Sequence, residues 1–262
     1  MMPLARAFCD FPVRAALLVF TVVLGNSALT SNALAESFDK PVRTTVVDLG
    51  PSPSQDRLQG SRFRVKLSCS YYPAFMVKEL DDDGLKGTRW VTIVPVENGR
   101  IPACRRSHGS AERFMAKEWW TFLGAKGSLL FLEAADGDEN QGIPFRVLDR
   151  KTGKKIFEDS AWWDGHLEFA QTPDGRISLS YLRVVGDDCS IPKGGTSCWN
   201  KFTEKFGLPL AAAPKCTNYL GEQTLTAEDT QSRSAIAYPV AVELFPRPSI
   251  KAILGPVKCS QE

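Results

Sequence analysis

Apolar residues along this chain recur mostly with a period of two. In Arg62–Ser70 (RFRVKLSCS), Phe63, Val65, Leu67 and Cys69 alternate with polar neighbours, as in a strand buried on one face. Thr88–Val96 and Ser128–Glu133 are short β-rich apolar runs. Ile143–Asp149 and Lys154–Glu158 flank Arg150-Lys151-Thr152-Gly153, whose glycine suits a hairpin turn. His166–Gln171 and Arg176–Val185 predict a second hairpin turning at Pro173-Asp174-Gly175. Pro239–Leu244 and Ile250–Leu254 predict two more strands.

Helical spacing is rarer. Ser110–Trp120 (SAERFMAKEWW) predicts a helix capped by Ser110. Ser197–Phe206 predicts another, with Trp199, Phe202 and Phe206 on one stripe. The pattern as a whole predicts a mainly β protein: an antiparallel β-sandwich or small barrel with two short helices. The alternative is a small β-propeller.

The N-terminus reads differently. Arg6 and Arg14 precede an apolar run from Ala15 to Gly25, and Ala33-Leu34-Ala35 forms a small-x-small site. Residues 1–35 therefore read as a signal peptide, with Glu36 starting the exported chain. Residues 36–60, rich in Ser, Pro, Asp and Gln, read as a loosely ordered lead-in, and 61–262 as a single β-rich domain. The apolar run is about half the length that spans a bilayer, so no stable membrane insertion is expected after cleavage. The expected location is periplasmic or secreted.

Composition narrows the function classes. The chain has 32 Lys+Arg and 30 Asp+Glu; removing the signal takes away Arg6, Arg14 and Asp10 and leaves one net positive charge. So even a balance gives no reason to expect nucleic acid or an anionic membrane as partner. Of seven cysteines, Cys9 falls in the signal, and Cys69, Cys104, Cys189, Cys198, Cys216 and Cys259 remain, an even number bound for an oxidising compartment. Sequence neighbours suggest the pairs Cys189–Cys198, Cys69–Cys104 and Cys216–Cys259. The first closes a ten-residue loop, worth roughly 2.5 kcal/mol by chain entropy, with Lys193 near its tip. Bridges of this kind leave no thiol for catalysis, and the spacings form no paired zinc knuckles.

Candidate chemistry is sparse. Asp136, Asp138 and Asn140 present D-x-D-x-N, which brings three oxygens together as at the start of an EF-hand-type calcium loop. The sixth position is Gln141 and the twelfth Val147, so the loop departs from that pattern where glycine and a bidentate glutamate belong. No other cofactor is suggested. Glu133, Asp136, Asp159, Asp164 and His166 supply carboxylates and an imidazole for a secreted hydrolase of glycosidase type, if two of them face each other across a cleft. There is no G-x-S-x-G elbow, and Ser107-His108-Gly109 reads as an exposed loop after Cys104. The pairs Trp119-Trp120 and Trp162-Trp163 can each expose one indole to a ligand while the other packs.

The stretch Ser128–Glu158, with Val147-Leu148-Asp149 and Thr152-Gly153-Lys154 at its turn, resembles one blade of a quinoprotein-type β-propeller. That resemblance covers a single hairpin, whereas a propeller needs at least about four blades. The Cys189–Cys198 loop is loosely similar to the disulfide-clamped loop of Bowman–Birk-type protease inhibitors, differing by a residue and softened by Gly194-Gly195. The whole chain resembles uncharacterised exported proteins of Gram-negative bacteria, a likeness that implies no activity. The expected role is non-enzymatic binding of an envelope protein or small ligand, with Trp162, Trp163 and Lys193 as candidate contacts; a secreted hydrolase is the alternative.

Overall fold

The computed structural model describes residues 37–53, 63–97, 99–135, 142–162, 167–171, 176–208, 213–214 and 234–261. Five strands form one antiparallel sheet in the order β1 (Arg43–Pro51), β2 (Arg64–Tyr72), β3 (Phe75–Asp82), β4 (Thr88–Pro95) and β5 (Arg113–Lys117). A nine-stranded sheet follows: β6 (Trp120–Lys126), β7 (Leu129–Ala134), β8 (Ile143–Asp149), β9 (Lys155–Ala161), β10 (Glu168–Gln171), β11 (Ile177–Asp187), β12 (Ser234–Glu243), β13 (Ser249–Ala252) and β14 (Lys258–Gln261). β6 and β13 close its main path, β10 pairs with β11, and β14 pairs with β12. Among the described residues there is one helix, α1 (Ile191–Phe206).

Alternation builds three layers of core. β2 buries Val65, Leu67, Cys69 and Tyr71 on one face, as its period of two predicts. The opposite face of the five-stranded sheet, with Val77, Val91 and Ile93, packs on Leu130, Leu132 and Leu148 of the nine-stranded sheet, giving a sandwich. The other face of the nine-stranded sheet buries Phe131, Phe145, Tyr181 and Tyr238 against Trp199 and Phe202 of α1. Phe38 completes this core by packing edge-on to Phe131 and tilted against Phe169, with ring centroids 5.3 and 4.9 Å away. It lies so close to β6 that a Cβ at Gly124 would sit 2.4 Å from its ring, which requires glycine there.

Both expected hairpins form. β8 and β9 join through a turn with Gly153 at φ 72°, and Gln171 of β10 pairs with Ile177 of β11. The first of these is an interior pair of a continuous sheet, not a propeller blade.

Three expectations change. Residues 113–117 form a strand, not the centre of a helix over Ser110–Trp120. Gly109–Glu112 form a single turn, closed by the Glu112 amide on the Gly109 carbonyl, and pairing with the free edge of β4 then overrides local propensity. Within the lead-in, Arg43–Pro51 is a strand: Thr44, Thr45, Val46 and Val47 favour β structure, and β2 offers them an edge. The remaining helix begins at Ile191, six residues before the expected Ser197, because Pro192 fits a first turn. Gly195, at φ 49° and ψ −129°, then kinks it. The stripe of Trp199, Phe202 and Phe206 faces the core as predicted.

Candidate functional site

Cys69 and Cys104 form a disulfide that staples residues 99–112, a strap, across the outer face of the five-stranded sheet. Beneath the strap lies a buried polar anchor. Lys78 of β3 is 2% exposed, and its Nζ donates to Glu112 Oε2 at 2.9 Å and to the Ser107 carbonyl at 3.0 Å. The Glu112 carboxylate, also 2% exposed, accepts further bonds from the Thr92 hydroxyl, the Gly109 amide (3.2 Å) and His108 Nδ1 (2.8 Å). Burial alone would push the Glu112 carboxyl up, but bonds from Thr92, His108, Lys78 and Gly109 outweigh it and hold it below the usual carboxylate range. An ionised carboxylate only accepts, so the proton between the two side chains belongs to Nδ1 of His108. The imidazole is thereby fixed in orientation, wedged between Trp90 (4.8 Å) and Phe114 (4.7 Å) with its side chain 37% exposed.

Phe114, 46% exposed, is the hub of the surface around this anchor. It touches His108 on one side, and Lys117 Nζ lies 5.7 Å from its ring. The β8–β9 turn arrives from the other sheet: a Cβ at Gly153 would be 3.5 Å from Met115 Sδ and 4.0 Å from the Phe114 carbonyl. Strap, edge strand and turn together carry Arg100, Arg105, Arg106, Arg113, Lys117, Lys151 and Lys154, all exposed and none in an ion pair among the described residues. Glu112 is ion-paired with Lys78, while Asp149 keeps its negative charge, held by the Thr152 amide and hydroxyl and by the nearby Lys151 charge. Exposed Glu97 and Glu118 bound the strap and β5 at either end. The result is a rim of positive potential.

Next to it the chain passes from one sheet to the other through Glu118 (φ 30°) and Trp119 (φ 69°). Two successive non-glycine residues in the left-handed region are strained. This turn leaves Trp119 53% exposed, while Trp120 packs in the inter-sheet core under the Arg146 guanidinium, 3.9 Å from its ring. One indole of this pair is displayed and the other packs, as the sequence suggests.

The remaining candidates fall elsewhere. Trp162 is half-buried on Val184, Ala235 and Ala237, with Lys258 Nζ 5.7 Å from its ring. Trp163, Asp136, Asp138, Asn140, Asp164, His166 and Cys216 lie outside the described residues. Lys193 is exposed on the first turn of α1, which the Cys189–Cys198 disulfide ties to the helix body. Cys259 is also disulfide-bonded. No group of three or more metal-ligating side chains occurs among the described residues.

Of the hydrolase set, Glu133 and Asp159 can be placed. They sit in one row across β7, β8 and β9 with Phe145 between them, so their backbones are about 10 Å apart. Phe145 is 2% exposed and fills that gap. Asp159 is held by Arg183 (2.8 Å) and the Tyr181 hydroxyl, and Arg183 in turn reaches the Tyr238 hydroxyl. Burial pushes the Tyr181 phenol far up, with Asp159 adding to the shift. Burial also pushes up the Glu133 carboxyl, against a bond from Thr121. A nearby carboxylate, Glu79, is pushed up to about 7 by burial despite accepting the Phe122 amide at 2.9 Å. A groove of about 300 Å³ on the nine-stranded sheet is lined by Glu168, Ser180, Leu182, Pro239 and Ile253 and contains neither Glu133, Asp159 nor Glu79.

Sequence reasoning passed over the rim. Its signal was present: between Arg100 and Lys117 five cations face one acid. No protein-family model, curated protein or solved structure matches this chain, so no site is carried over from a relative.

Proposed function

We propose that this protein is an extracytoplasmic binding protein, periplasmic or secreted behind the signal at residues 1–35, whose binding face is the basic rim around Phe114. The disulfides Cys69–Cys104 and Cys189–Cys198, with Cys259 also bonded, fit an oxidising compartment. The observation that carries the reading is the rim itself: the strap, the edge strand and the adjoining turn carry seven exposed cations outside any ion pair among the described residues, with half-exposed Phe114 on the edge strand. Unpaired like charges in one place repel one another, and an anionic partner relieves that cost.

The rim is also preorganised. A disulfide and a saturated Lys78–Glu112 pair hold the strap before any partner arrives, which reduces the ordering entropy of binding. Chemistry has weaker support. Glu112 is saturated by four donors, and Asp159 is engaged by Arg183 and Tyr181.

Elution from phosphocellulose tests the reading. A variant with Arg105, Arg106 and Arg113 changed to Gln is compared with one in which exposed Lys40, Lys201 and Lys251 are changed to Gln, an equal loss of charge elsewhere. The rim variant elutes at clearly lower salt than the control. Identical elution of the two would refute a focused binding face.

A further inference from the structure

The rim's apolar residues say more about the partner than its charge does. Ile101 in the strap is 66% exposed, Phe114 on the edge strand 46%, and Trp119 just beyond it 53%. The segment from Arg100 to Trp119 thus alternates these three along the chain with Arg100, Arg105, Arg106, Arg113 and Lys117. A soluble polyanion gains nothing from an exposed isoleucine. At a lipid surface the same mixture is favourable: cations take the phosphate layer, while aliphatic and aromatic side chains enter the headgroup boundary, where indoles are preferred. No helix among the described residues is long and apolar enough to cross a membrane.

We infer that the rim docks on an anionic phospholipid surface, with Arg100, Arg105, Arg106, Arg113, Lys117, Lys151 and Lys154 engaging headgroup phosphates and Ile101, Phe114 and Trp119 at the interface. This rests on reading the rim as the binding face. The near-neutral chain does not oppose it, because screening over about 10 Å makes the local charge, not the total, what a surface meets. Each cation near such a surface strengthens binding about fivefold, corresponding to about 1 kcal/mol.

The test is co-sedimentation of the chain from Glu36, which carries every described residue, with phosphatidylcholine vesicles with and without phosphatidylglycerol, at low and at physiological salt. Dextran sulfate serves as a soluble polyanion in a parallel titration. Binding is expected to the phosphatidylglycerol vesicles only, and to weaken with salt. Changing Arg105, Arg106 and Arg113 to Gln lowers it about a hundredfold, and Lys151→Gln with Lys154→Gln about twentyfold. A separate variant, Ile101→Ser with Trp119→Asn, weakens vesicle binding several-fold but leaves dextran sulfate binding intact; Asn is chosen because it tolerates a left-handed backbone. Dextran sulfate binding without vesicle binding overturns the lipid assignment and leaves the rim as a binding face. If neither binds, or the arginine variant binds vesicles as well as the parent, both readings fall. The cations would then only guard the edge strand against pairing with another chain.

Discussion

Lys78→Met probes the anchor that holds the strap. Methionine has nearly the length of the lysine stem, so little cavity opens and the change is chiefly loss of a charge. Lys78 Nζ gives up two bonds, to Glu112 and to the Ser107 carbonyl. Removing one partner of a buried pair costs about 3–5 kcal/mol. Three donors to Glu112 survive, from Thr92, His108 and Gly109, so the expected loss at pH 7 is about 3 kcal/mol, or about 10 °C in Tm. The sign of the pH dependence follows from Glu112. In the parent its folded pKa is depressed, so its contribution is present above the unfolded value and is lost as pH falls through the folded one. Without Lys78, burial gains on the remaining bonds and the folded pKa rises. A protonated Glu112 is neutral and needs no cation. The gap between Lys78→Met and the parent is therefore widest at neutral pH and narrows in the acid range, and adding Glu112→Gln recovers part of it at pH 7. Urea unfolding followed by tryptophan fluorescence, disulfides intact, measures all of this. A loss below about 1 kcal/mol at pH 7, or one of equal size at low pH, would refute the reasoning.

Three further outcomes are expected. Glu79→Gln removes a carboxylate that burial pushes up to about 7, well above the ordinary carboxylate range, so the parent loses stability as pH rises through that window. The glutamine variant stays flat there and is more stable at pH 8 by about 2–3 kcal/mol; parallel pH profiles would count against this. Changing Cys69 and Cys104 to Ser opens a loop spanning a sequence separation of 35 and costs about 4 kcal/mol of unfolded-state entropy, with release of the strap seen as faster proteolysis between Arg100 and Arg106. Tyr181→Phe leaves Asp159 with Arg183 and costs about 1 kcal/mol in denaturant without changing phosphocellulose elution, since the network lies in the core beneath the other sheet. An elution shift in that variant would tie the core network to binding.

The sheets were legible because burial imposes a period of two: Val65, Leu67 and Cys69 announced β2, and the turn ending in Gly153 announced the β8–β9 hairpin. The segment around Phe114 was not, since Ser110, Ala111 and Glu112 suit a helix and only the free edge of β4 decides otherwise. The pairs Cys69–Cys104 and Cys189–Cys198 followed from sequence proximity. The anchor could not follow, because Lys78, Thr92 and Glu112 belong to three segments joined by pairing and a disulfide. The rim was hidden by averaging. A balanced total masks a strap and turn in which cations outnumber acids, and the β8–β9 turn with Lys151 and Lys154 meets Phe114 and Met115 only through contact between the two sheets.

Amide hydrogen exchange with and without phosphatidylglycerol vesicles tests the central claim most directly. Protection is predicted at 100–117 and 150–154, the strap, edge strand and turn that carry the seven cations. Protection instead along the groove lined by Ser180, Leu182 and Pro239, or on the first turn of α1 around Lys193, with the rim unchanged, would contradict the assignment of the binding face.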